Sequence, residues 1–304
     1  MSAPAAPIST LNAGAAAATP SRLRDFYELT KPRMNFLVTI TTLVGCYMAS
    51  TGRMNWTLLI NTVIGTALTA ASSAVLNQFV ERGYDALMRR TQDRPIPAGR
   101  VTLLESMLFG TLLGLLGLVY LAVFVNLLTA FLGAITLITY IFLYTPMKRW
   151  SSLCTIVGAI PGAIPPVMGF TAFQNALSPA ALAVFGILFL WQMPHFLAIA
   201  ILYKDDYARG GFKMLPVIDD ESLTLTHRQI VIYSIALLPM TMLPAALHMA
   251  GTAYFMAAVL LGLAFLGFAI SSAATGTRAD ARRLFFASII YLPLLLAALM
   301  IDKI

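Results

Sequence analysis

Long apolar runs separated by short polar segments dominate this sequence. Several runs reach the roughly 20 residues that an α-helix needs to cross a bilayer, and they lack the strict alternation of a membrane β-barrel. We therefore predict an all-α integral membrane protein with nine transmembrane helices. The predicted spans are 35–51, 57–79, 103–124, 127–146, 153–172, 179–200, 229–247, 252–273 and 284–301.

Two of these boundaries follow from length alone. A single helix over 102–146 would be about 65 Å long, roughly twice the thickness of the hydrocarbon core. The chain must therefore turn back within this stretch, and Asn126 is the best position for the break. The same argument predicts a second break near 248–252.

Composition agrees with a membrane protein. The 304 residues are 59% hydrophobic and only 11% charged, with a mean hydropathy of +0.81, whereas a soluble domain carries about 25% charged residues. A net charge of +7 would suggest nucleic acid binding in a soluble protein, but here the basic residues lie between apolar runs. Their distribution indicates orientation in the membrane, and it also suits an anionic substrate.

The basic residues are sorted to one side of the predicted membrane. All of the 20 Lys and Arg residues except Arg53 and Lys303 lie in the N-terminal segment or in the four even-numbered connections. The positive-inside rule therefore predicts that the N-terminus and these connections are cytoplasmic. All of the 13 acidic residues except Asp302 lie on the same side, and many crowd the second and sixth connections.

Residues 1–24 are predicted to form a disordered tail, because they are rich in Ala, Pro and Ser and lack the basic start of a signal peptide. Residues 25–304 are predicted to form one membrane domain. Cys46 and Cys154 both lie inside apolar runs, so we expect buried, free thiols rather than a disulfide or a metal site.

A first polar cluster follows the second span. Asn77, Glu81 and Asp85 are four residues apart, so in a helix they share one face. Carboxylate and amide oxygens at a helix end suit Mg²⁺, which prefers a few carboxylates together with substrate phosphate oxygens. Arg90 and Arg94 follow closely and could bind a phosphate in a bidentate manner. The alternative is a helix end with local Glu–Arg pairs.

Two further clusters lie on the same predicted side. Tyr144 and Lys148 end the fourth span and could contact a phosphate, or they could only anchor the helix at the interface. Asp205 and Asp206 follow the sixth span and could complete a metal–diphosphate site, or they could belong to a solvated loop. Four spans separate the two acidic clusters, which suggests two similarly oriented bundles with a site at their junction.

The apolar spans contain two unusual features. His195, four residues after Trp191, lies inside the sixth span, where ionisable groups are costly and usually functional. We expect it about three helical turns, or roughly 16 Å, below Asp206, although a histidine that only packs against a neighbouring helix is the alternative. The proline-rich stretch 160–166 is predicted to break the fifth span, where the broken backbone would line a cavity for a bulky ligand or lie buried in protein. A simple proline kink is the alternative.

These clusters together resemble the UbiA-type intramembrane prenyltransferase superfamily, whose members have nine helices around a central cavity and two acidic motifs. The segments 29–33, 90–97, 191–196 and 205–216 resemble one branch of it, the protohaem IX farnesyltransferases or haem O synthases. The sequence departs from the superfamily pattern at Gln78, where many members have an acid, and at Glu81, which replaces Asp. It also lacks a second carboxylate four residues after Asp205 or Asp206.

The resemblance implies that farnesyl diphosphate is the donor, haem b the acceptor and Mg²⁺ the cofactor. It also implies haem o as the product for haem–copper oxidases, a place in a bacterial inner membrane, and haem A synthase or oxidase subunits as partners. The expected catalytic residues are Asn77, Glu81, Asp85, Lys148 and Asp206; the diphosphate contacts are Lys31, Arg90, Arg94, Tyr144 and Lys148; the metal ligands are Asn77, Glu81, Asp85, Asp205 and Asp206; the haem contacts are His195 and Trp191.

Two other functions fit the same residues. A related prenyltransferase would use a quinone precursor or a chlorophyll as the acceptor. A transporter of an anionic metabolite could also use broken helices and buried charges near the membrane midplane. Substrate flux without release of diphosphate would distinguish the transporter from both enzymes.

Overall fold

The computed structural model describes residues 21–304, and within that range the chain is helical, with one isolated β-bridge between Ala250 and Lys303. This confirms the predicted all-α class. The helices are α1 Arg22–Leu29, α2 Pro32–Ala49, α3 Trp56–Asp85, α4 Leu103–Phe124, α5 Leu127–Ile138, a π-helical segment Thr139–Tyr144, α6 Thr145–Met147, α7 Cys154–Gln174, α8 Pro179–Leu202, α9 Lys204–Arg209, α10 Leu215–Ile218, α11 Thr224–Ala246, α12 Thr252–Thr275 and α13 Arg278–Ile301.

Eight of the described helical segments are long and apolar enough to cross a membrane. They are α3, α4, the continuous segment Leu127–Met147, α7, α8, α11, α12 and α13. The remaining predicted span corresponds to α2, which has 18 residues and begins with the polar sequence Pro32-Arg33-Met34-Asn35. The count of nine therefore stays a prediction.

Both predicted turns between adjacent spans are confirmed. Helix α4 ends at Phe124 and α5 begins at Leu127, and between them the Asn126 side chain accepts a hydrogen bond of 2.8 Å from the Thr129 amide. The capping bond satisfies an amide that the new helix would otherwise leave free. The second turn separates Ala246 from Thr252.

The predicted tail is only partly described. Its residues 1–20 lie outside the described range, whereas α1 begins at Arg22 and includes the last three residues of the tail. Asp25 of α1 is buried and accepts a hydrogen bond of 2.8 Å from Arg100. Leu29 packs in a buried cluster with Val75 of α3, so α1 is joined to the first polar cluster.

The predicted break in the fifth span is wrong, because α7 continues as one helix through Pro161, Pro165 and Pro166. Most of its residues are buried, so the alternative of burial within protein is confirmed. Helix α2 approaches so closely that a Cβ at Gly169 would lie 2.5 Å from the Cys46 amide nitrogen. This close packing holds the helix together where prolines remove backbone donors.

Candidate active site

Helix α3 carries the centre of the site on its last turns. Its 30 residues would extend about 45 Å, at about 1.5 Å per residue, which exceeds the roughly 30 Å of the hydrocarbon core. Asn77, Glu81 and Asp85 lie near its C-terminal end, and all three side chains are buried. Buried carboxylates need partners, because an unpaired buried charge is costly.

Three cationic side chains supply those partners. Lys31 donates a hydrogen bond of 3.0 Å to Oδ1 of Asn77. Lys148 lies 2.7 Å from Oε1 of Glu81, and Arg94 lies 2.6 Å from Oδ2 of Asp85. The cations come from three separate parts of the chain, so the fold itself brings them to the polar side chains on one face of α3.

Local backbone structure positions two of these three cations, Lys31 and Lys148. Lys31 lies between α1 and α2 with a left-handed φ of 48°, and the Gln78 side chain donates a 2.7 Å hydrogen bond to the carbonyl of Leu29 just before it. Gln78, which stands where many superfamily members have an acid, thus holds the turn that carries Lys31. Lys148 follows the π-helical segment and α6, where Thr145 accepts a 3.2 Å hydrogen bond from the Asn77 amide.

The charged groups influence one another's protonation. Burial together with the nearby Arg94 guanidinium lowers the pKa of Lys31 to about 7. Burial, the largest single influence, favours the neutral form of Lys148, but the Glu81 carboxylate together with Tyr144 and Tyr140 outweighs it and raises the pKa of Lys148. Lys148 is therefore a permanent positive charge in this site, whereas the charge of Lys31 depends on pH near neutrality.

One carboxylate oxygen in this cluster makes no hydrogen bond to the described residues. Oδ1 of Asp85 is buried and has no hydrogen-bond partner among the described residues, while Oδ2 binds Arg94. Within residues 21–304, no group of three or more His, Cys, Asp or Glu side chains is arranged to hold a metal ion. Glu81, Asp85 and the Asn77 amide match the sparse protein ligand set of Mg²⁺, whose remaining positions belong to water and substrate phosphate.

Aromatic side chains form one wall beside the cations. The ammonium group of Lys148 lies 4.5 Å from the Tyr144 ring centre, and the Arg149 guanidinium lies 4.5 Å from that of Tyr84. A cavity of about 140 Å³ opens here between Glu81, Tyr84 and Phe212. The aromatic faces stabilise the cations while limiting their access to water.

The second acidic segment lies against the same end of α3. Phe212 and Met214 pack with Met88, which follows α3, and Phe212 also contacts the Tyr84 ring at 5.7 Å between centres. Arg90 lies over the rings of Tyr203 and Tyr207, at 5.0 and 5.9 Å. The structure therefore brings the two predicted acidic clusters to one side of the molecule.

The two adjacent aspartates have different environments. Asp205 is 66% exposed and lies 2.6 Å from Arg278 of α13, and this ion pair lowers the pKa of its carboxyl group. Asp206 is 12% exposed and pairs with Arg209 of its own helix. Both carboxylates are thus paired with arginines outside the α3 cluster, and their convergence with Asn77, Glu81 and Asp85 on one metal ion stays a prediction.

His195 and Trp191 belong to α8, and their side chains contact α13. Their rings stack with centres 4.8 Å apart, and His195 also stacks on Phe285 at 5.3 Å. Ser288 of α13 binds both, through its carbonyl to the Trp191 indole and through its hydroxyl to the His195 imidazole. Both rings remain partly accessible.

Sequence reasoning missed several contacts in the site. Thr145 lies between Tyr144 and Lys148, which were predicted to contact a phosphate, so its place in the sequence could have identified it as part of the site. Phe212 and Ser288 carried none, because a phenylalanine in a loop and a serine in an apolar helix are both common in membrane proteins.

Comparison with known proteins now bears on this arrangement. The model of the UbiA prenyltransferase family matches residues 38–290. The chain belongs to the UbiA prenyltransferase family. This membership confirms the predicted class of enzyme, a prenyltransferase, and a multi-pass membrane protein.

Relatives of known name resemble the chain over nearly its whole length. A protein of Solibacter usitatus is 46% identical over 290 residues, which cover 92% of this chain and 99% of the relative. A protein of Myxococcus xanthus is 42% identical over 287 residues, covering 94% and 96%. Both relatives are named protoheme IX farnesyltransferase.

Solved structures show the same fold at low identity. A digeranylgeranylglyceryl phosphate synthase has a TM-score of 0.79 at 16% identity and covers 92% of this chain and 98% of its own. A UbiA homologue from Archaeoglobus fulgidus, bound to DMAPP and Mg²⁺, has a TM-score of 0.67 at 16% identity and covers 90% and 99%.

Proposed function

We propose that this chain transfers the farnesyl group of farnesyl diphosphate to a vinyl group of haem b, giving haem o and free diphosphate. The observation that carries the proposal is the set of three cations, Lys31, Arg94 and Lys148, paired with the oxygen ligands of α3. The relatives named protoheme IX farnesyltransferase support the choice of donor and acceptor.

The proposed reaction requires stabilisation of the negative charge that develops on the diphosphate of the donor. The C1–O bond of the farnesyl group breaks, and the diphosphate leaves with the electron pair. Lys148, Arg94 and Lys31 then offset the negative charge that grows on the leaving group, as preorganised cations do in other phosphate-transfer sites. Tyr144 and Arg90 are proposed as further contacts of the diphosphate.

The allylic cation is consumed by the acceptor. A vinyl carbon of haem b attacks it and forms the new carbon–carbon bond, and water captures the resulting cation with loss of a proton. The product carries a hydroxyethylfarnesyl group. The aromatic wall of Tyr84, Tyr144 and Phe212 supports this sequence, because it limits access of water to the first cation.

Mg²⁺ is proposed as the cofactor, held by Asn77, Glu81, Asp85 and an aspartate of the 205–206 pair. The open Oδ1 of buried Asp85 supports a ligand at this position. When bound, the ion would supply Lewis-acid neutralisation of the diphosphate. The exposure of Asp205 and the greater burial of Asp206 favour Asp206 as the contributing residue.

The remaining proposals concern the acceptor and the location. His195 and Trp191 are proposed to bind haem b, and an oxidase subunit or haem A synthase is a proposed partner. Residues 25–304 are proposed to form one domain in a bacterial inner membrane. The charge distribution described above supports a cytoplasmic N-terminus and a cytoplasmic site.

The deciding experiment uses the purified full chain in detergent with haem b, farnesyl diphosphate and Mg²⁺. Mass spectrometry should find haem that has gained one farnesyl group and one hydroxyl group, with an equal amount of diphosphate. A chelator should stop the reaction and added Mg²⁺ should restore it. Prenylation of a quinone precursor in place of haem, or flux of an anion into liposomes without diphosphate release, would refute the proposal.

A further inference from the structure

Ser288 of α13 holds His195 through its hydroxyl group. The Oγ atom lies 2.7 Å from Nδ1 of the imidazole and 2.6 Å from the carbonyl oxygen of Phe285 in its own helix. Ser288 has no exposed surface. Water therefore does not compete for these bonds, and their donors and acceptors can be assigned from the hydroxyl group alone.

The assignment follows from counting protons. A serine hydroxyl has one proton to donate, and a carbonyl oxygen can only accept. The bond to Phe285 therefore uses the hydroxyl proton, so toward His195 the same oxygen must accept. The proton then lies on Nδ1 of His195, and Nε2 carries the free lone pair.

The remaining contacts fix the plane of the ring. The Trp191 indole donates a 2.9 Å hydrogen bond to the carbonyl of Ser288 and stacks on the imidazole. Phe285 stacks on the imidazole as well. Ser288 thus orients Trp191 and His195 together, one through its backbone and the other through its side chain.

The opposite edge of the imidazole is open. Nε2 of His195 has no hydrogen-bond partner among the described residues, and the ring is partly accessible in a helix of which half the residues are buried. A neutral imidazole with a free Nε2 lone pair is the form that coordinates iron, and a hydrogen bond at Nδ1 increases its basicity.

We propose that Ser288 is a positioning residue that holds His195 in the Nδ1–H tautomer and presents Nε2 to the iron of a porphyrin acceptor. The inference rests on the proposed function, since it takes haem as the acceptor. Outer hydrogen bonds of this kind change metal affinity by about 10–100-fold. Ser288 should therefore affect the binding of haem and leave the binding of farnesyl diphosphate unchanged.

The test is a titration of the full chain with haem b, followed by its visible absorption spectrum and without any prenyl donor. Ser288→Ala should weaken haem binding by about 10–100-fold and shift the Soret band, while Ser288→Thr, which keeps a hydroxyl, should stay near wild type. Ser272→Ala is the matched control, because it removes an equally buried hydroxyl from α12. In turnover assays Ser288→Ala should raise the KM for haem but not that for farnesyl diphosphate.

If the larger side chain of Ser288→Thr does not fit at this buried position, the double variant with His195→Ala and Ser288→Ala still tests the inference. Ser288→Ala should have no further effect in a His195→Ala background, because the positioned group is already gone. A wild-type spectrum for Ser288→Ala, or an equal loss in the His195→Ala background, would overturn the inference. Failure of the proposed function is a separate result, in which wild-type protein forms no farnesylated haem.

Discussion

At the scale of residues, the candidate site consists of pairs between a cationic side chain and a side-chain oxygen atom. Asn77, Glu81 and Asp85 of α3 each meet a cation from another segment, so they are buried without isolated charge. Such pairs are poor sources of stability, because desolvation offsets much of the attraction. Their presence in an apolar protein therefore points to a function that uses both signs of charge in one place.

Replacement of Asp85 tests the oxygen ligands. Asp85→Asn keeps the size of the side chain but removes the charge that faces Arg94, and we expect prenyl transfer to fall by about 10²–10³-fold. The rate of farnesylated haem formation measures the effect, and thermal unfolding in detergent checks the fold. Asp205→Asn serves as the exposed control and should retain most activity. Wild-type turnover in Asp85→Asn would refute its role.

Replacement of Lys148 tests the cations. Lys148→Met removes a charged hydrogen bond, which contributes about 1.5–3 kcal/mol, so the KM for farnesyl diphosphate should rise by about 10–150-fold. Lys148→Arg keeps the charge and should lose much less. Steady-state kinetics at varied farnesyl diphosphate and saturating haem separate the two variants, and equal losses in both would show that charge is not the property that matters.

At the scale of elements, close helix packing positions the site. Helices α2 and α7 touch backbone to backbone at Gly45 and Gly169, and α2 carries Lys31 at its start. The π-helical segment places Thr145 and Lys148 against α3. Small residues allow such contacts in membranes, where no hydrophobic effect drives one helix onto another.

A glycine substitution tests this contact. In Gly169→Ala the new Cβ would meet the backbone of α2, including the Cys46 amide at 2.5 Å, and backbone atoms cannot move aside. We expect a loss of about 1–3 kcal/mol or more, seen as a lower Tm in detergent. Gly267→Ala in α12 is the matched control, since nothing lies within 4 Å of its Cβ position. Equal Tm values for the two variants would contradict the packing argument.

At the scale of the whole molecule, most charged residues lie on the side that holds the candidate site, and few lie on the opposite side. The far face holds Lys303, whose ammonium donates hydrogen bonds of 2.6 Å to the carbonyls of Tyr47 and Ser50 at the end of α2. This links the start of the helical array to its C-terminal end. The predicted cytoplasmic face instead holds the paired charges of the site.

Cysteine labelling tests the orientation. Glu221→Cys lies in the connection before α11 and Thr51→Cys in the connection after α2, and both positions are exposed. A membrane-impermeant maleimide should label Thr51→Cys in intact spheroplasts and Glu221→Cys only after lysis. The native cysteines, Cys46 and Cys154, are buried, so the unmodified chain is the unlabelled control. The reverse pattern would invert the topology.

Prediction from sequence went furthest where one physical rule dominated. Apolar run length set the spans and the breaks near Asn126 and 248–252, because the bilayer has a fixed thickness. The spacing of Asn77, Glu81 and Asp85 put them on one face, because a helix has a fixed period. The prolines of α7 are the exception to this success, because they predicted a break where the helix is continuous. The helix is mostly buried within the protein, which supports it despite the prolines.

The sequence by itself therefore determined the long apolar helices, the segregation of charge along the chain and the shared face of Asn77, Glu81 and Asp85 on α3. Tertiary structure decided which cation faces which oxygen, the separation of Asp205 from Asp206, and the tie between His195 and Ser288. Apart from Asp206 and Arg209, which belong to one helix, these pairings join residues from 9 to 93 positions apart. No local period encodes such distances, so only the packing of the helices could establish them.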